Sequence, residues 1–199
     1  YSSGGANVLS NASTGTLTLS STNATPLNFY TGTAIVNNAG ILNQTASGAH
    51  TVDATFNNTG TVNVAGGTLT LSGGGTDTGV YAVGTGATLN FSGGTRNINS
   101  GVAFSGAGIL QISGGTMSVN DPLTIAAPTI NLSGGTLTGA GNLTTTGPFN
   151  ITGISAITGG GVLTTKGATT IDMGSNSGYL QFTGGKTWVN EGTLTVGGD

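Results

Sequence analysis

Apolar and polar residues alternate in short runs along this chain, and most of the runs end in glycine. The clearest form occurs four times, as LTLSGG at 69–74, LNFSGG at 89–94, LQISGG at 110–115 and INLSGG at 130–135. A period of two residues is typical of a strand with one buried face, and glycine pairs mark the turns that end strands. The abundant threonine and glycine oppose helix. The pattern therefore predicts many short strands and no helix.

The runs return after about 20 residues, which indicates a coil repeated along an axis. Two further motifs keep the same step: NNAGILN at 37–43 returns as NNTGTVN at 57–63, and GNLTTTG at 141–147 returns as GVLTTKG at 161–167. One coil cannot bury its apolar face alone, whereas stacked coils bury a continuous core. The sequence thus predicts an all-β fold, a right-handed parallel β-helix (β-solenoid) of roughly ten coils. The handedness follows the general preference of parallel crossovers.

The repeat divides the chain unequally. Residues 34–199 fit it as one continuous domain, although the period drifts between about 160 and 190. Residues 1–33 fit it poorly. They are predicted to form an irregular N-terminal coil, a cap, or a strand exchanged with a neighbouring molecule.

A residue that recurs one period later would lie directly on its predecessor, so like side chains would stack in ladders. Asparagine amides and threonine hydroxyls are the side chains that recur in this way. The positions predicted to stack are Asn37 with Asn57, Asn38 with Asn58, and Thr95 with Thr116 and Thr136.

Composition narrows the class of protein. Of 199 residues, 39 are glycine and only 5% are charged, against about 25% charged residues in ordinary globular proteins. With three lysines and arginines in all, neither nucleic acid nor an anionic membrane surface is an expected partner. The absence of cysteine excludes disulfides and thiolate metal sites, and no apolar run is long enough to predict membrane insertion.

The repeated motifs resemble those of a known class of proteins. The Ser-Gly-Gly-Thr repeats, the Asn-Asn-x-Gly segments and the Gly-x-Gly-x-Leu-Thr steps resemble passenger regions of bacterial autotransporters and of filamentous-haemagglutinin-type adhesins. The resemblance covers residues 34–199. It implies a right-handed β-helix, export to the cell surface, and a role in adhesion or surface architecture.

Parallel β-helices also include enzymes that cleave polysaccharides, which need two carboxyl groups close together. Only Asp172 and Glu191, 19 positions apart, come near one coil of separation, and the drifting period favours two isolated surface charges. His50 lies near Asp53, but no nucleophile motif accompanies the pair. The cations Arg96, Lys166 and Lys186 are scattered, and Gly73–Asp77 matches a calcium repeat only once. We expect neither enzymatic activity nor a cofactor nor a metal.

Aromatic side chains offer a second possibility, because they bind sugars by stacking. The candidate glycan contacts are Tyr30, Tyr81, Tyr179 and Trp188. The function that the sequence favours is an extracellular structural element at the bacterial surface, either a rigid stalk or a self-assembling fibre or adhesin segment. Its expected partners are copies of itself and surface glycans. The alternative is a β-helix that binds or cleaves glycans.

Overall fold

The computed structural model describes residues 5–27, 33–174 and 178–197, and all regular structure in these ranges is short β-strand. The strands in chain order are β1 (Asn7–Asn11), β2 (Thr16–Leu19), β3 (Ala34–Asn38), β4 (Ile41–Gln44), β5 (Ala49–Val52), β6 (Thr55–Asn58), β7 (Thr61–Val64), β8 (Thr68–Leu71), β9 (Gly75–Asp77), β10 (Val80–Val83), β11 (Thr88–Phe91), β12 (Thr95–Ile98), β13 (Ala103–Ser105), β14 (Ile109–Ile112), β15 (Thr116–Val119), β16 (Leu123–Ile125), β17 (Thr129–Leu132), β18 (Thr136–Thr138), β19 (Leu143–Thr145), β20 (Phe149–Thr152), β21 (Ile154–Ile157), β22 (Val162–Thr165), β23 (Ala168–Asp172), β24 (Tyr179–Phe182), β25 (Thr187–Asn190) and β26 (Thr193–Gly197). Within the described ranges no helix is present, so none is long and apolar enough to cross a membrane.

The strands stack in parallel into three faces. The first face is a nine-stranded sheet ordered β1-β3-β6-β9-β12-β15-β18-β21-β24. The second is the five-stranded sheet β2-β4-β7-β10-β13, continued by the four-stranded sheet β16-β19-β22-β25, because β16 lies against β13. The third is the eight-stranded sheet from β5 to β26. From β3 onward, successive strands of the chain occupy successive faces, so three strands make one turn of a β-solenoid.

The solenoid has about seven regular turns, formed by β3 to β23. The prediction of ten turns was wrong, because it divided the whole chain by 20 residues. The outer turns are longer: Asn11 and Asn38 are neighbours across 27 positions, and Thr165 and Asn190 across 25. Seven turns at the usual strand spacing of about 4.8 Å make a regular rod about 35 Å long.

The core consists of apolar columns that run along the axis. On the third face, Leu69 pairs with Leu89 and Leu89 with Leu110, and all three are fully buried. The four Ser-Gly-Gly motifs follow β8, β11, β14 and β17, and these strands pair in register as predicted. Because the turns repeat the same alternation, most inward apolar side chains fall on another apolar side chain in the next turn.

The corner between the first and second faces is built from stacked glycines. A Cβ atom at Gly60 would overlap the carbonyl oxygen of Gly40 in the previous turn, and one at Gly79 would overlap that of Gly60. Only glycine lets the backbones approach this closely. In contrast, a Cβ at Gly48 would meet nothing within 4 Å.

The N-terminal segment joins the same sheets. Strand β1 pairs with β3 and β2 pairs with β4, while Leu27 forms an isolated bridge to Val52 of the third face. The described residues of this segment therefore contribute one strand or bridge to each of the three faces. Tyr30 lies outside the described residues.

Candidate functional site

A column of buried asparagines marks the inner side of the glycine corner. The Nδ2 atom of Asn11 donates to Oδ1 of Asn38 at 2.7 Å, and that of Asn38 donates to Oδ1 of Asn58 at 2.9 Å. The Asn58 amide then donates to the carbonyl of Val80. Asn38 and Asn58 are both buried. All of these amides donate in the same axial direction, so the column satisfies polar groups that would otherwise be unpaired inside the core.

Further ladders lie on the outside of the faces. Asn57 lies over Asn37 and donates to it at 2.9 Å. Thr95, Thr116 and Thr136 also lie in register on adjacent strands and point outward. Asparagine pairs that were not predicted join in the same way at about one-turn separation: Asn63 with Asn43, Asn120 with Asn99, and Asn150 with Asn131.

Loss of the buried ladder should destabilise the fold more than loss of an outer one. Asn58→Ala removes one of the two acceptors of the buried Asn38 amide and leaves only the carbonyl oxygen of Thr61, so we expect a cost of about 1–3 kcal/mol. Asn63→Ala, the control, removes a similar bond at a half-exposed position and should cost less than about 1 kcal/mol. Urea unfolding followed by circular dichroism compares the two variants. Equal costs would show that burial of the ladder does not matter.

The asparagine column continues into a buried ion pair. Asp77 follows Asn58 in register, and Arg96 of the next turn forms an ion pair with it. Both side chains are fully buried. The Arg96 guanidinium donates to both carboxylate oxygens of Asp77 and, at 2.9 Å, to the hydroxyl of Tyr81. It also donates to the carbonyl oxygens of Phe56 and Gly74, so all of its N–H groups have acceptors.

The surroundings set the charge of this cluster. Burial raises the pKa of Tyr81 well above its ordinary value, so its hydroxyl stays protonated and donates to Asp77 at 2.7 Å. Burial also raises the pKa of Asp77, although Arg96 opposes that shift. Burial alone would lower the pKa of Arg96, but Tyr81 and Asp77 raise it. The guanidinium therefore stays charged, and it lies 5.3 Å from the ring centroid of Phe91.

This cluster has no access for a substrate. Asp77, Tyr81 and Arg96 are each fully buried, and the ring of Phe104 stacks on Tyr81 at 5.4 Å. Tyr81 is thus not a glycan contact, because it faces the core in register with Val62. The cluster holds three successive turns in one register, since its partners come from β6, β9, β10 and β12.

The outer surface of the third face carries a shallow polar groove of about 360 Å³. Its floor follows one register row, in which Gln111 pairs with Asn131, Asn131 with Asn150, and Asn150 with Thr170. Its rim adds hydroxyls and one carboxylate, Asp172. The groove thus presents amides and hydroxyls along four successive turns, without an aromatic side chain among its lining residues.

The remaining aromatic candidates lie at the C-terminal end of the rod. Tyr179 is half-exposed on β24. Trp188 is partly buried, and its indole N–H donates to the hydroxyl of Thr165 at 3.1 Å. The centroid of the Phe182 ring lies 6.2 Å from that of Trp188. Tyr179 is not among the residues that line the polar groove. These side chains and the groove do not form one site.

The residues considered for catalysis do not come together. His50 is buried and contacts Gln44 and the carbonyl of Ser21, whereas Asp53 accepts a hydrogen bond from Ser72. Asp172 is exposed in the groove, and Glu191 instead pairs with Lys166 on the surface at 3.1 Å. Among the described residues, no three of histidine, cysteine, aspartate and glutamate group as metal ligands.

Sequence reasoning missed the role of Arg96, which was counted among the scattered cations. The signal was present in the repeat: Arg96 pairs with Met117, and Met117 pairs with Leu137, so Arg96 occupies an inward position. Asp77 lies 19 positions earlier, one turn away. An inward charge one turn from an opposite charge predicts a buried pair.

No protein-family model, curated protein or solved structure matches this chain. The resemblance to autotransporter and haemagglutinin-type repeats therefore stays a prediction from the motifs.

Proposed function

We propose that this chain is a structural β-solenoid of a bacterial surface protein, a right-handed rod that acts outside the cell as a rigid spacer or adhesin segment. The observation that carries the proposal is the buried polar column, in which Asn38, Asn58, Asp77 and Arg96 are all engaged in holding turns together. These four side chains are thus engaged in structure and are shielded from solvent. Stiffness is the property that such a core provides.

The surface supports the same proposal. It is rich in threonine, serine and asparagine, and the chain has a formal net charge of only −3. The one exposed ion pair described, Lys166 with Glu191, is of the kind that contributes little to stability. A neutral hydroxyl and amide surface remains hydrated while giving charged partners little to bind, which suits a spacer.

The location can be tested on cells that make the protein. An antibody raised against the purified chain should label intact, unpermeabilised cells, and mild protease treatment of those cells should remove the label. An antibody against a cytoplasmic protein serves as the control and should label only permeabilised cells. If the antibody against this chain also labelled only permeabilised cells, the extracellular location would be wrong.

The polar groove favours binding of neutral glycan as a second candidate function. Sugar hydroxyls are recognised by amides and carboxylates, and the Asn131 and Asn150 amides with Asp172 supply both. The groove contains a single carboxylate, which does not support cleavage by a carboxyl pair. Retardation of the chain by a neutral polysaccharide in affinity electrophoresis, lost in Asn150→Ala but kept in Asn63→Ala, would favour this candidate over a spacer.

A further inference from the structure

The second face of the rod is interrupted at one place between β3 and β23. Its strands form two separate sheets, one ending at β13 and the other beginning at β16. The two strands lie side by side, yet within residues 33–174 no strand ladder joins them. Pro122 stands directly before β16 and has no N–H group to donate. All other neighbouring strands of a face in this range are paired.

Backbone groups point into the interruption from both sides. The Ala103 N–H donates to a carbonyl of the preceding turn, and the Leu123 N–H donates to a carbonyl of the following turn. Consecutive N–H groups of a strand point to opposite neighbours, so those of Phe104 and Thr124 face the interruption. A strand edge without such hydrogen bonds opens at a lower cost in free energy than a paired one.

The same two turns are fully paired on the other two faces. Strand β12 pairs with β15 on the first face, and β14 pairs with β17 on the third. The corner between these faces is formed by the Ser-Gly-Gly motifs. A Cβ atom at Gly115 would lie 2.9 Å from the backbone nitrogen of Gly93, and one at Gly135 would lie 2.8 Å from the carbonyl oxygen of Gly115. The turns are thus closely packed at the corner opposite the interruption.

Two side chains join the turns beside the interruption, and we call Asn120 and Asp121 the latch. The Ser100 N–H donates to Oδ2 of Asp121 at 2.9 Å, and Nδ2 of Asn120 donates to Oδ1 of Asn99 at 2.8 Å. Ser100 and Asn120 are exposed, so water competes for both hydrogen bonds. The latch therefore holds this face together less firmly than a strand ladder would.

We propose that the second face contains a built-in joint between β13 and β16, at which the two parts of the rod tilt about the Ser-Gly-Gly corner. Tilting opens the second face and breaks the latch, while the first and third faces keep their ladders. Opening here therefore costs less than separating the turns elsewhere between β3 and β23. The inference goes beyond the proposed structural role, because it makes the rod stiff on each side of one bending point.

Pairs of spin labels on introduced cysteines test the joint, because the chain has no cysteine of its own. Asn63→Cys with Thr164→Cys places the labels on the second face, five strands apart, on either side of the interruption. Thr70→Cys with Thr170→Cys places them five strands apart on the third face, whose ladders are continuous. Both separations are about 24 Å at the usual strand spacing. Pulsed electron paramagnetic resonance should give the second-face pair a broader distribution that extends to longer distances.

Substitutions in the latch provide a second test with the same second-face labels. Asp121→Ala removes the acceptor of the Ser100 N–H, so the distribution should shift further toward long distances. Asp121→Asn keeps an oxygen acceptor and should leave the distribution close to that of the labelled chain with Asp121. Circular dichroism of both variants should be unchanged, because Asp121 lies in a corner and outside the strands.

Amide exchange tests the joint without labels. Phe104 and Tyr81 are both buried, but the strand of Tyr81 is paired on both sides and the strand of Phe104 on one side. In nuclear magnetic resonance, the Phe104 amide should therefore exchange with solvent deuterium faster than the Tyr81 amide.

Equal distance distributions for the two label pairs, or equal protection of the two amides, would overturn the joint. A distribution for Asp121→Ala no different from that for Asp121→Asn would overturn the role of the latch. These measurements use the purified chain and are independent of antibody labelling of cells. A rod that labels the cell surface but does not bend would contradict the joint alone, whereas a bending rod confined inside the cell would contradict the proposed location alone.

Discussion

Replacing Arg96 by methionine is expected to lower the free energy of unfolding by about 3–5 kcal/mol, because it leaves the Asp77 carboxyl buried without its cation. The side chain of methionine fits the position, since Met117 occupies it in the next turn. The substitution also removes the donors to the Phe56 and Gly74 carbonyls, so neighbouring turns lose two further hydrogen bonds. Urea unfolding followed by circular dichroism measures the loss.

Two further variants distinguish the effect of losing the buried ion pair from the effect of losing a charged residue as such. Lys166→Met removes an ion pair whose side chains are about half-exposed, and it should cost less than about 1 kcal/mol. Arg96→Met combined with Asp77→Ile extends the apolar part of the column by one turn, because Asp77 pairs with Ile98. This double variant should recover part of the stability that Arg96→Met loses. If Arg96→Met cost no more than Lys166→Met, the cluster would not hold the turns together.

Gly60→Ala is expected to cost about 1–3 kcal/mol, the range found when a closely packed site receives an extra methyl group. The added Cβ would overlap the backbone of the previous turn at Gly40, and backbone cannot rotate away as a side chain can. Because Gly79 packs on Gly60 in turn, the displacement would pass along the corner.

Gly48→Ala provides the matched control, since it adds the same methyl group at a corner where nothing lies within 4 Å. Because alanine lowers the conformational entropy of the unfolded chain, Gly48→Ala should be neutral or should stabilise the fold by up to about 1 kcal/mol. Thermal unfolding of both variants tests the difference. A Gly60→Ala protein as stable as Gly48→Ala would mean that the turns can separate at this corner at little cost.

The sequence predicted the parallel solenoid because its apolar runs and glycine pairs recur at a regular spacing. Each Ser-Gly-Gly motif indicates both the end of a strand and the position of that strand within the turn. The pairing of Leu69 with Leu89 therefore follows from their spacing. The number of turns could not be obtained in this way. The long connections before β3 and after β23 add residues without adding alternation, and the chain length alone cannot reveal them.

The interior polar groups were harder to predict for a different reason. A charged or phenolic side chain is normally assigned to the surface, and within β10 the residues Val80, Ala82 and Val83 allow either phase of the alternation. Only the cross-turn pairing of Tyr81 with Val62 sets the tyrosine inward. Asn38 and Asn58 were predicted to stack from their spacing of 20 residues. Their burial depends on the geometry of the corner, which the spacing alone does not predict.

The parallel ladders have a consequence for a rod that bears load. The hydrogen bonds between turns lie along the axis, so tension applied to the two ends of the chain would detach one turn at a time from an end, as a coil is unwound. Each detached turn of some 20 residues would lengthen the chain by up to about 65 Å. The central turns, joined by Asp77 and Arg96, would be the hardest to detach. Under such a load the rod would lengthen in steps while its remaining turns stay intact.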